Sequence, residues 1–146
     1  MIDHPLPDVL VDSSVWIDHL RRADPVLTPL LQTSRVRMHP MVLGELACGN
    51  LPMRQRTLGW LERLPSMPLA GIADVSTLIE GRRLYGRGVG LIDVHLLAST
   101  LLVPGCELLS RERRLDGLAQ ALRIAAVDEP PRLHRSRSTA ATGGYR

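Results

Sequence analysis

The first twenty residues change their apolar period once. Val9-Leu10-Val11 is continuous, Asp12-Ser13-Ser14 interrupts it, and Val15, Trp16 and Leu20 then recur at helical spacing. That pattern predicts a buried strand passing through a tight turn into an amphipathic helix. Asp24-Pro25 predicts the next helix start, with Asp as cap and Pro at the first helical position. Pro29 keeps that helix short or bent, because it cannot donate to the preceding turn. Arg35 to His39 alternates polar and apolar residues, as an edge strand does. Pro40 opens a helix over Met41 to Ala47, closed by Gly49-Asn50, and Met53 to Leu64 forms an amphipathic helix with Leu58, Leu61 and Leu64 inward.

Ser66 to Leu69 reads as a brief strand, and Asp74 as the cap of a helix through Leu84. Tyr85 to Gly90 is a flexible loop. Leu91 to Leu102 is apolar apart from Asp93 and His95, which predicts a central, buried helix. Leu108-Leu109 is a strand running into Ser110-Arg111-Glu112 and a helix through Leu122, and Ile124 to Val127 is a last strand. Strands alternating with helices predict an α/β fold, a mostly parallel sheet of four or five strands with helices on both faces. The domain is expected over residues 1–128. Residues 129–146, rich in Pro, Ser, Arg, Gly and Thr, are expected to be a disordered tail.

Composition narrows the chemistry. The 146 residues suffice for one core, which must be aliphatic because aromatics are 3% and Phe is absent. No apolar run approaches the roughly 18–20 residues of a membrane span, and the N-terminus lacks the pattern of a signal peptide. Cys48 and Cys106, in separate apolar segments, read as buried thiols of a reduced compartment, with a single disulfide as the alternative. The 18 basic residues are all Arg. Four lie beyond Pro130, leaving 14 against all 15 acids in the body, so the formal +3 belongs to the tail. Absence of Lys removes the P-loop, the pyridoxal Schiff base and the kinase site. Gly86-Arg-Gly-Val-Gly90 also lacks the dinucleotide spacing.

Four acids stand out: Asp12, Glu45, Asp93 and Glu112 each sit in an apolar or turn context, at a strand end or near a helix start. Alone, Asp12 is as readily a helix cap as a functional group. A buried lone carboxylate costs several kcal/mol unless paired or coordinated, and four that a parallel sheet can gather at one edge are better explained by a shared cation. Oxygen ligands without His or Cys point to Mg²⁺ or Mn²⁺, a metal class suited to phosphodiester hydrolysis. Ser13 and Ser110 lie close enough to orient water or a phosphate oxygen, although turn chemistry also accounts for them. Arg87 in the glycine loop, and Arg111 with Arg113 and Arg114 beside Glu112, are candidates for contact with a substrate's phosphates. Trp16 and Trp60 read as core or dimer-interface residues, and His19, His39 and His95 as structural.

Four blocks, V-D-S-S-V-W-I-D-H-L, H-P-x-V-L-G-E-L-A, G-V-G-L-I-D-V-H-L-L-A-S and L-L-S-R-E-R-R-L, resemble in order those of the PIN domain. More narrowly they resemble VapC-type toxins of bacterial toxin–antitoxin pairs. The resemblance implies an α/β/α sandwich and a cytoplasmic, Mg²⁺- or Mn²⁺-dependent endoribonuclease. It also implies homodimerisation and inhibition by a VapB-type antitoxin. Asp12, Glu45 and Asp93 fall on the family's metal-binding acids. Glu112 takes the place of the fourth, usually an Asp in a T-x-D motif, with Asp116 as the fallback. The competing class is a non-catalytic PIN-fold module that grips RNA or antitoxin without cutting; a phosphoacceptor domain would want a lysine near the acids.

Overall fold

Three short parallel strands form the centre: β1 (Val9–Val11), β2 (Val36–Arg37) and β3 (Glu107–Leu109), in the order β2-β1-β3. Val9 pairs with Val36 on one side and Glu107 on the other, and Leu10 with Arg37 and Leu108. The computed structural model describes residues 6–132; the outer part of the expected tail lies outside them. Successive strand residues point to opposite faces. All three residues of β1 are buried, so both faces of the sheet are covered, as its continuous apolar run requires.

The expected fourth and fifth strands reduce to single bridges, Met38 with Ser66 and Leu108 with Ala125. Pairing begins properly, with Met67 N donating to Met38 O at 2.7 Å and Ala126 N to Leu108 O at 2.9 Å. On the first edge Pro65 and Pro68 flank the bridge, and neither has an N–H to extend a ladder. On the second the chain leaves the sheet after Ala126, and Asp128 is held by Arg111 instead.

The helices are α1 (Ser13–Arg21), α2 (Leu27–Gln32), α3 (Pro40–Cys48), α4 (Arg54–Glu62), α5 (Ile72–Gly81), α6 (Leu91–Leu102) and α7 (Arg113–Ala121). Helix α6 is the central one, buried continuously from Val94 to Thr100. Trp16 is wholly buried on α1 and meets Trp60 of α4 edge to face, with ring centroids 5.9 Å apart. Asp24 Oδ1 accepts from Val26 N and Leu27 N and so organises the turn into α2. Two expectations change. Helix α5 starts at Gly71, with Asp74 in its first turn accepting from Gly71 N, so Asp74 is the far half of a capping box rather than the cap. Cys48 is exposed at the end of α3, and only Cys106 is buried.

Candidate active site

Parallel strands deliver their carboxyl ends to one edge, and the chain places a helix start at each. Asp12 follows β1 and occupies the N-cap position of α1, yet its side chain makes no capping bond. The carboxylate is buried and spent on hydroxyls. Ser14 Oγ donates to Asp12 Oδ2 at 2.7 Å and Ser110 Oγ to the same oxygen at 2.9 Å. Ser14 is fixed in turn by Arg111 N, and Ser110 by Glu112 N, each at 3.0 Å. Oδ1 has one weak partner, Ser13 Oγ at 3.5 Å. Two hydroxyls thus fix the plane of the carboxylate and leave one oxygen directed away from them. The alternative of a simple helix cap does not hold.

Glu112 repeats the arrangement after β3, standing at the N-cap of α7 with no side-chain capping bond. Asp93 lies in the first turn of α6, after Gly90. Glu45 projects from α3, and Ser13 Oγ reaches its Oε1 at 3.4 Å. Helix α3 is set by His39, whose Nδ1 accepts from Met41 N while Nε2 meets Ser99 Oγ of α6 at 2.9 Å. That bond ties the helix bearing Glu45 to the helix bearing Asp93.

The acids feel one another. The Asp93 carboxyl is pushed up to about 6, first by burial and then by Glu112, Asp12 and Glu45, with Arg114 opposing. Glu45 is also raised, by burial and then Asp12, with a smaller push from Glu112. Four carboxylates distant in sequence therefore share one neighbourhood. Burial is not what they share: Asp12 is 4% exposed and Asp93 is half-buried, but Glu45 and Glu112 are exposed. Only Asp12 is fully enclosed, although burial is still the largest push on Asp93 and Glu45. Among the described residues no three His, Cys, Asp or Glu side chains are already close enough to share an ion. The donor set itself, carboxylate and hydroxyl oxygen without His or Cys, fits a hard divalent cation.

The arginines divide. Arg111 is not available to a substrate: its Nη1 bonds Asp18 Oδ2 at 2.8 Å, Nη2 bonds Asp24 Oδ1 at 2.9 Å, and Nε bonds Asp128 Oδ2 at 3.1 Å. These carboxylates raise the guanidinium's pKa, and Arg111 holds Asp24 down at about 2. Arg87 remains exposed in the glycine loop. Asp116 accepts from Gln120 Nε2 at 2.7 Å on its own helix. Ser14, Arg111 as a clamp, and His39 as the cap of α3 were not identified as such from sequence. The Asp-Ser-Ser run was the one available signal for Ser14.

No family model matches the chain. It is 40% identical over 121 residues to ribonuclease VapC32 of Mycobacterium tuberculosis strain CDC 1551 / Oshkosh, covering 83% of this chain and 98% of that protein. The protein of the same name from strain ATCC 25618 / H37Rv matches to the same extent.

Proposed function

The chain belongs to the VapC family of ribonucleases, and we propose that its four gathered carboxylates hydrolyse RNA phosphodiesters as the toxin of a toxin–antitoxin pair. The observation that carries this reading is the buried Asp12 carboxylate at the end of β1, locked by Ser14 and Ser110 and linked through Ser13 Oγ to Glu45 of α3. The fold is compatible with the PIN-like α/β/α sandwich that the reading requires. Asp12, Glu45 and Asp93 would hold Mg²⁺ or Mn²⁺, with Glu112, longer by a methylene than Asp, at the margin. Such a cation, when bound, polarises a phosphoryl oxygen and acidifies water.

The chain's own residues do the rest. Ser14 and Ser110 lock Asp12 Oδ2, so that Oδ1 keeps one direction without reorganisation. One of the three acids Asp12, Glu45 and Asp93 helps to take a proton from the attacking water. In-line attack then leaves a 5′-phosphate and a 3′-hydroxyl. Family membership also supports a VapB-type antitoxin as partner. Leu101 and Leu102, exposed at the end of α6, offer apolar surface for self-association.

Two measurements test the reading. Calorimetric titration with Mn²⁺ is expected to show binding that Asp12→Asn abolishes; equal binding by both proteins would remove the ion site. RNA cleavage is expected to stop with EDTA and to fall roughly 10²–10³-fold in Asp12→Asn, the scale of losing one preorganised electrostatic group. A metal-loaded protein that binds RNA and leaves it intact would establish the non-catalytic module instead.

A further inference from the structure

Beside the carboxylates lies charge of the opposite sign that forms no salt bridge among the described residues. Arg87, from the loop before α6, and Arg113 and Arg114, from the first turn of α7, line an open groove of about 350 Å³ together with Val89, Gly117 and Leu118. Among the described residues, Arg37 and Arg111 are paired with carboxylates, whereas these three have no acidic partner. The walls of the groove are fixed to each other. Arg114 Nη1 donates to Gly88 O at 2.6 Å, and Gly88 has φ +71°, where an added Cβ would stand 2.7 Å from that nitrogen. Arg113 directly follows Glu112, the N-cap of α7, which puts the groove next to the acids.

We propose that this groove is a phosphate subsite for the RNA backbone: Arg87 and Arg113 hold a phosphodiester neighbouring the one that is cut, and Arg114 positions the loop that carries Arg87. The subsite rests on the ribonuclease reading and makes it more specific. Exposed guanidiniums without partners suit a polyanion, because each phosphate contact releases counterions while no internal ion pair has to be broken. RNA fits better than an acidic peptide, since the groove adjoins the carboxylates where a phosphodiester would be cut.

The test separates binding from cutting. Asp12→Asn protein in EDTA is titrated with a short labelled RNA over a range of salt concentrations. Arg87→Ala and Arg113→Ala in that background are each expected to weaken binding several-fold and to reduce the slope of log Kd against log salt by about 0.7, the value of one single-strand phosphate contact. Arg22→Ala, at the opposite end of α1 from Asp12, is expected to leave the slope unchanged. Unchanged slopes in both groove variants overturn the subsite, as does an equal loss in Arg22→Ala. Displacement of RNA by poly-glutamate as effective as by unlabelled RNA would also overturn it, in favour of a carboxylate-reading groove. Cleavage by the unmodified protein is measured apart, so failure of the groove and failure of the nuclease reading give different results.

Discussion

Two corners of the same sheet edge use charge in opposite ways. At the β1–β3 corner, Asp12 has hydroxyl partners and Arg111 gathers Asp18, Asp24 and Asp128. At the α6–α7 corner, Asp93 is pushed up by burial and by like charges, and Arg87 and Arg113 form no salt bridge among the described residues. Two aspartates measure the difference: Asp24 is held at about 2 and Asp93 is pushed to about 6. A satisfied network gives rigidity, and an unsatisfied one leaves free energy available for a ligand. The first corner aims the site and the second is left to meet what binds there.

The largest stability effect is expected from breaking the first corner. Arg111→Ala leaves Asp24, 7% exposed, without its cation, and should lower unfolding free energy by about 3 kcal/mol in urea titrations. Arg87→Ala, at the second corner, should change it by less than about 0.5 kcal/mol. Equal losses would erase the distinction between the corners.

Acid provides a finer probe. Because the folded-state pKa of Asp24 is depressed, its contribution is present above its ordinary value of 3.8 and is lost as pH falls through about 2. Urea midpoints should therefore drop between pH 4 and pH 2, by about 2 kcal/mol from this group. The Arg111→Ala protein should lose most of that slope; a slope that survives would place the acid-sensitive contact elsewhere. A smaller loss than at Arg111 is expected at Gly88→Ala, where positive φ and the Arg114 guanidinium both resist a methyl group. A cost of about 1 kcal/mol is expected, seen as a lower melting temperature.

What was legible in the sequence follows from distance along the chain. The change of period at Asp12 announced β1, α1 and an acid between them, and Pro40 with Gly49-Asn50 bounded α3 closely. Glu45 stood out in an apolar segment, and although its side chain is largely exposed, burial is still the first push on its carboxyl, ahead of Asp12. The fate of Arg111 was not legible, because its partners Asp24 and Asp18 lie 87 and 93 residues away. Nor was the narrowing of the sheet to three strands: Pro65 and Pro68 carried that signal, yet Ser66 to Leu69 reads as a brief strand.

The unequal placement of the two thiols has a practical consequence. Cys106 is enclosed and burial raises its pKa, whereas Cys48 is accessible one helical turn beyond Glu45. A maleimide dye would thus label a single position of the native body, on the helix that contributes Glu45. Its emission would report the arrival of a divalent ion or an RNA strand in real time, without a cysteine having to be introduced.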